Sequence, residues 1–289
     1  MAIDPAALRA WPFPDISQSY DEKDAILYAL GLGIGQDPLE PLQLQFVYEA
    51  ELRTLPTMSV VLGFPGPWLN DPATHIDYSR VVHGEQHLEI VRPLPVAGTM
   101  RCVNRVVGVA DRGSGKGAAI TVGRELFDDS NGQLLARQLS VLIARGDGGF
   151  DGDLASQSRS RLLPPPARDP DLHFEWHVPP QLALVYRLSG DRNPLHVDPR
   201  IAQRAGFDRP ILHGLASFGI AGFAAIMTVC NGDPDGLREI GARFSAPVIP
   251  GDTLVFDIWK VAPGETAFRA RAIERDRIVL DNGRVRHSA

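Results

Sequence analysis

The sequence predicts an α+β fold with two antiparallel sheets, the C-terminal one wrapped around a long central helix. Three observations carry this expectation. Residues 214–230, GLASFGIAGFAAIMTVC, contain no charge and are rich in Gly, Ala and Ser. An all-round apolar segment of that length is a buried helix, and its small residues let neighbours approach closely. Residues 83–145 divide into strand-like runs separated by glycine turns, and residues 254–286 divide in the same way. The two series open alike, on Pro93 to Thr99 and on Pro247 to Thr253, each downstream of a His-Gly pair (His83-Gly84, His213-Gly214). This is a weak internal duplication with unequal halves, since only the second half has the long helix.

Taken in order, residues 17–32 begin polar and become helical, with Ile26, Leu27 and Leu30 on one face and Gly31-Leu32-Gly33 as the stop. The glycines at 31, 33 and 35 follow a helix, not a strand, so they are no dinucleotide loop. Residues 43–55 form a strand or short helix carrying Glu49. Four prolines (56, 65, 67, 72) forbid a long helix over 56–77. Strands are expected over 87–91, 99–111, 118–128 and 133–145, with Arg112 opening a glycine-rich hairpin. That hairpin is no phosphate loop, because Lys116 precedes Gly117 and not Ser or Thr, and His83 with His87 lacks the helical zinc pattern. The stretch 146–171 is too rich in Gly, Ser, Asp and Pro to build a core. The expected division is therefore residues 1–150, a linker at 151–172, and residues 173–289. In the second half Asp198 caps a short helix with Pro199 at its first position and Gly206 at its end. After the long helix, strands run over 254–261, 266–275 and 278–286.

The charge balance is −6, so no nucleic-acid surface is expected. Two cysteines, Cys102 and Cys230, lie in apolar stretches and read as reduced core thiols. The N-terminus lacks the basic and apolar regions of a signal peptide, and the 214–230 run is too short and glycine-rich for a membrane span. The chain ends His-Ser-Ala, unlike a peroxisomal tripeptide. A cytoplasmic protein with no membrane partner is expected.

Chemistry concentrates in residues 186–214. Asp191, Asn193 and His196 share one loop, because Gly190-Asp191 is a turn signal and Pro194 steers Asn193 away from the helical region. A carboxylate and an imidazole that share one water form a general acid–base pair, and Asn193 can orient either. Gly214 opens the buried helix, whose first N–H groups have no partner within it, so its N–H is a candidate oxyanion donor. Ser217 lacks the first glycine of a nucleophile elbow, which disfavours a serine hydrolase.

The run YRLSGDRNPLH at 186–196, followed by Ala-Gly-Phe and Ile-Leu-His-Gly, resembles the signature of the hydratase 2 family, the MaoC-like R-specific 2-enoyl-CoA hydratases found as a domain of peroxisomal multifunctional enzyme type 2. Segments at 24–33, 83–89 and 242–251 resemble the family in the same order. The resemblance implies a double hot dog fold and reversible hydration of trans-2-enoyl-CoA to (R)-3-hydroxyacyl-CoA. It implies Asp191 and His196 as the acid–base pair, Asn193 as orienter and Gly214 as oxyanion donor. Which of the pair deprotonates water stays open. Acyl-CoA contacts are expected at His83, Gly84, Arg112, Arg192, Pro194, Leu195 and Phe244, with Arg243 a weaker phosphate contact. Glu49, at an acidic position important in the family, is expected to ion-pair with Arg187 and so brace the loop. The first half is expected to bind the acyl group, with the space of its lost helix as a tunnel unless the 56–77 loop fills it. No cofactor or metal is expected, CoA being part of the substrate, and a homodimer is implied. Thioester hydrolysis and simple acyl binding are the alternatives: the Asp–Asn–His loop matches hydration better than the first and would stand idle in the second.

Overall fold

The computed structural model of the protein describes residues 3–150 and 162–288, so the part of the expected 151–172 linker before residue 162 lies outside the described residues. Ten strands form one antiparallel sheet: β1 (Ile16–Tyr20), β2 (Val81–Ile90), β3 (Gly98–Asp111), β4 (Ala118–Asp128), β5 (Leu134–Ala144), β6 (Leu172–His177), β7 (Leu237–Phe244), β8 (Thr253–Ala262), β9 (Glu265–Ala272) and β10 (Arg277–His287), in the order β1-β3-β4-β5-β2-β7-β10-β9-β8-β6. Helices are α1 (Pro5–Arg9), α2 (Glu22–Leu30), α3 (Pro41–Leu44), α4 (Leu182–Tyr186), α5 (Pro199–Arg204) and α6 (Gly214–Val229). This is the double hot dog. The two half-sheets are continuous, because β2 and β7 pair antiparallel from Glu85↔Arg243 to Glu89↔Glu239. Each of these strands would otherwise present unpaired N–H and C=O groups at a sheet edge.

Strands β1, β6 and β7 were not among the expected elements, and β2 begins at Val81 instead of 87. The polar lead-in at 16–20 is a strand, and Asp21 and Asp24 then form a capping box that starts α2. Residues 43–55 hold the end of α3 followed by turns, with Glu51 at φ 59.

Helix α6 is buried continuously from Ala216 to Ile226. A Cβ at Gly219 would stand 2.7 Å from a Leu32 methyl and 2.8 Å from the Tyr28 hydroxyl, and one at Gly222 would collide with Thr57. The two glycines thus admit the first half of the chain against the helix of the second.

The loop after Leu55 fills the first half-sheet. It forms a 3-10 helix, Pro56–Val61, with Pro56 to Val60 buried. A proline-rich segment cannot close regular α-helical bonds, and its carbonyls are satisfied instead by a row of polar side chains across three strands. Asn104, Arg124 and Gln138 stand in lateral register. Arg124 Nη1 donates to the carbonyls of Val60 (3.1 Å) and Leu62 (2.8 Å), and its Nε to Asn104 Oδ1 (3.0 Å). Asn104 donates to Gly63 O and Gln138 to Ser59 O.

Candidate active site

The loop bearing Asp191, Asn193 and His196 leaves α4 through a 3-10 turn (Arg187–Ser189) and Gly190, whose φ of 138° a side chain would resist. Asp191 Oδ1 accepts the Asn193 N–H at 3.0 Å, and Asn193 Oδ1 accepts the Leu195 N–H at 3.0 Å, capping the 3-10 turn Pro194–His196. Asn193 therefore orients the backbone of the loop. Asp198 caps α5 as expected.

His196 is buried, and its Nδ1 lies 2.9 Å from the Ile211 carbonyl. A carbonyl only accepts, so Nδ1 carries the proton and Nε2 keeps its lone pair. Burial lowers the pKa of His196, opposed by the Ile211 hydrogen bond and the Asp191 charge, and a neutral imidazole with a free Nε2 can take a proton. His213, at the N-cap of α6, stacks on His196 with ring centroids 3.7 Å apart and an interplanar angle of 26°. Its Nε2–H donates to the Asp191 carbonyl at 3.1 Å. One ligand-type atom from each of Asp191, His196 and His213 lies within 4.8 Å of the others. Each ring spends one nitrogen on a backbone carbonyl, which leaves a lone pair on His196 Nε2 and on His213 Nδ1. The arrangement suits proton transfer: a water between the exposed Asp191 carboxylate and His196 Nε2 would meet two acceptors.

Gly214 is the first residue of α6, and Phe244 lies against it, 3.4 Å from where a Cβ would be. The Phe244 ring also packs 4.8 Å from that of His83, so the first half reaches the second at the mouth of α6. His83 Nε2 donates to Glu85 O at 3.1 Å, and a bulge in the β2–β5 register spans Gly84. Burial holds the His83 pKa down to about 4, so His83 serves as a neutral wall and not as a cation for phosphate. Arg112 is exposed in the β3–β4 hairpin. The registers Val81↔Ala144 and Ala118↔Ala144 put that hairpin at the same end of the sheet as His83. Arg192 and Pro194 are exposed and Leu195 is half-buried on the loop itself.

The Glu49–Arg187 clamp is not formed. Glu49 is exposed, and no ion pair joins it to Arg187 among the described residues. Arg53, in the same turn, pairs with Asp233 and Asp235 beyond the C-terminal end of α6, whereas Arg187 precedes the loop at its N-terminal end. Sixteen helical residues span about 24 Å. The carboxylate needed no buried partner because its segment turns outward. Glu49→Gln is accordingly expected to change stability by less than about 0.5 kcal/mol and to leave turnover near wild type. Parallel urea melts and turnover assays check this, and a severalfold loss of activity would restore a functional role. Arg243 and Glu85 form a further ion pair between the halves, through Nε (3.0 Å) and Nη2 (2.9 Å) to one carboxylate oxygen. It ties down the arginine considered for CoA phosphate.

Sequence reasoning singled out the His213-Gly214 pair but gave His213 no role in the site. No linear signal reports that its ring stacks on His196 and holds the backbone of Asp191. Tyr78 was also missed: it stands near Asp191, and burial first, then the Asp191 charge, raises its pKa.

His83 and His213 make stability pH-dependent. Burial, and for His213 also the neighbouring His196, keeps both neutral in the folded chain. Their folded pKa values lie below the unfolded value of about 6.5, so the unfolded chain binds more protons below that pH. The stability they contribute is complete above about pH 6.5 and is lost as pH falls toward about 4, the folded value of His83. Urea midpoints measured through this range should fall with pH and fall less in His83→Gln; equal slopes in both proteins would contradict the assignment.

Together, fold and site define a double hot dog protein with an Asp–Asn–His loop at the mouth of its buried helix. Residues 18–146 match the MFE-2 hydratase 2 N-terminal domain, and residues 162–282 match the MaoC like domain. The chain is 36% identical over 289 aligned positions to the peroxisomal enoyl-CoA hydratase 2 of Arabidopsis thaliana, covering 94% of this chain and 92% of that one. It is 37% identical to 3-hydroxyacyl-thioester dehydratase Y of Mycobacterium tuberculosis, with full coverage of both (100% and 100%). The crystal structure of a MaoC-like dehydratase from Phytophthora capsici superposes with a TM-score of 0.85 at 31% identity, covering 98% of each chain. The chain belongs to the hydratase 2 family of MaoC-like proteins.

Proposed function

We propose that the protein is an R-specific enoyl-CoA hydratase that reversibly adds water to a trans-2-enoyl-CoA. The observation that carries the reading is the pairing, on one loop, of the Asp191 carboxylate with a His196 whose free nitrogen is Nε2, beside the unpaired N–H groups at the start of α6. In the forward direction the pair takes one proton from water as its oxygen bonds to C3. The π electrons shift onto the thioester oxygen, which the Gly214 N–H stabilises, and one proton returns from the pair to C2. Proton transfer and enolate stabilisation need no redox or metal cofactor. His83, Gly84, Arg112, Arg192, Pro194, Leu195 and Phe244 are proposed to line the acyl-CoA path, with residues 1–150 as the acyl-binding half. The test is loss of enoyl-thioester absorbance with crotonyl-CoA, followed by chiral analysis of the product. Release of free thiol without hydration would indicate a thioesterase instead.

The proposed assembly is a homodimer. Strands β1 and β6 end the sheet and leave backbone edges for pairing or cover. Sedimentation should give twice the chain mass at micromolar concentration, and a value near 31.5 kDa would overturn the proposal. Among the described residues no helix is long and apolar enough to cross a membrane. A cytoplasmic location is proposed from the two buried free thiols, Cys102 and Cys230.

A further inference from the structure

We propose that His213 and Tyr186 are a positioning pair for the acid–base chemistry: the Tyr186 hydroxyl saturates His213 Nδ1, by a small side-chain movement or through one water, and so fixes His213 as the neutral Nε2–H tautomer that holds Asp191 and stacks on His196. The proposal rests on the reading of Asp191 and His196 as the reacting pair.

Three observations converge. His213 touches both members of the pair, stacking on the His196 ring at 3.7 Å and donating from Nε2 to the Asp191 carbonyl at 3.1 Å. Because that partner is a carbonyl, the proton sits on Nε2 and Nδ1 carries a lone pair. Both His213 Nδ1 and the Tyr186 hydroxyl are buried with no hydrogen-bond partner among the described residues, and the two ring centroids lie 5.0 Å apart. A buried donor and a buried acceptor left unpaired each cost about 1–3 kcal/mol, and joining them removes both penalties. The phenol is a suitable donor because it stays protonated: burial raises its pKa well above the ordinary value.

The consequence is control over where the proton from water can go. The titratable and charged groups around His213 are His196 and Asp191 from the loop, Arg187 from the turn before it, Tyr186 from α4 and, behind Tyr186 at 6.0 Å between rings, Tyr28 from α2. Two stacked imidazoles cannot both carry charge at low cost. With Nδ1 occupied by a hydroxyl proton, His213 does not compete for the proton that the pair takes from water. Nε2–H also keeps its hold on the Asp191 backbone, so the carboxylate stays in place.

The experiment uses the full chain and three variants, Tyr186→Phe, His213→Gln and His213→Leu. Turnover and KM with crotonyl-CoA are read beside 15N imidazole shifts. Tyr186→Phe should lower kcat by about 10–100-fold, the size of effect known for losing the partner that orients a metal-bound histidine, with KM within about twofold. His213 should then show mixed tautomers or titrate at higher pH. His213→Gln, which keeps an N–H for the Asp191 carbonyl, should retain clearly more kcat than His213→Leu. An unchanged His213 tautomer and unchanged kcat in a folded Tyr186→Phe protein would overturn the proposal, as would equal loss in Gln and Leu variants with equal melting temperatures. If the wild type does not hydrate crotonyl-CoA, the functional reading fails, while the tautomer in wild type and Tyr186→Phe still decides the Tyr186–His213 pairing.

Discussion

Asp191→Asn and His196→Asn should each reduce hydration of crotonyl-CoA by about 10²–10⁴-fold, the usual cost of deleting a general acid or base. Both substitutions preserve local structure. Asn at 191 keeps an oxygen to accept the Asn193 N–H, the bond that shapes the turn. Asn at 196 keeps an N–H near the position of Nδ1 to donate to the Ile211 carbonyl, while removing Nε2. Melting temperature and acyl-CoA affinity should therefore change little while kcat collapses. In the wild type, His196 must be neutral to accept a proton. Burial places its pKa below the ordinary 6.5, so the acid limb of the rate profile lies below pH 6.5. Asp191→Asn removes a charge that raises the His196 pKa, so in that variant the imidazole should titrate at still lower pH by NMR. Near wild-type turnover in either folded variant would refute the assignment.

Arg124→Met should be among the most destabilising single changes in the chain. The arginine is buried, its pKa lowered to about 10 by desolvation, and its described hydrogen bonds run to neutral oxygens: the carbonyls of Val60 and Leu62 and the side chain of Asn104. Methionine fills much of the volume but leaves these three acceptors inside the half-sheet without a donor. At about 1–3 kcal/mol each, partly relieved by water, the loss should be about 3–6 kcal/mol. Urea denaturation measures it. The effect should extend to activity, since the Val61 carbonyl lies 3.7 Å from where a Cβ on Gly190 would be, one residue before Asp191. A loss below about 1 kcal/mol, the typical single-mutant effect, would mean that the 56–62 segment is held by apolar packing alone.

The elements legible in the sequence were those that declare themselves by local physics. The charge-free run at 214–230 became α6, ending one residue earlier at Val229. The glycine-bounded runs became β3, β4 and β5 within a residue of their expected limits. Proline and cap chemistry placed α5 and the turn that carries Asp191, Asn193 and His196. The strands missed are those whose pairing is decided elsewhere. Strand β1 is five residues of ISQSY made extended by β3, and β7, LREIGARF, carries charges because its edge is completed by β2. Glu49 was misjudged because a carboxylate between apolar residues reads as buried until the turn at Glu51 points the segment outward.

By itself the sequence determined the α+β class, the buried helix and the loop that carries Asp191, Asn193 and His196, because periodicity, turn chemistry and capping act over a few residues. Tertiary structure alone decided that the two half-sheets are one, that Pro56–Val61 fills the first of them, that Glu85 and Arg243 join the halves 158 residues apart, and that His213 stacks on His196. Those outcomes depend on which unpaired edge, carbonyl or charge meets which partner across the fold, and the free energy of such a meeting belongs to the pair in space and to neither residue in the chain.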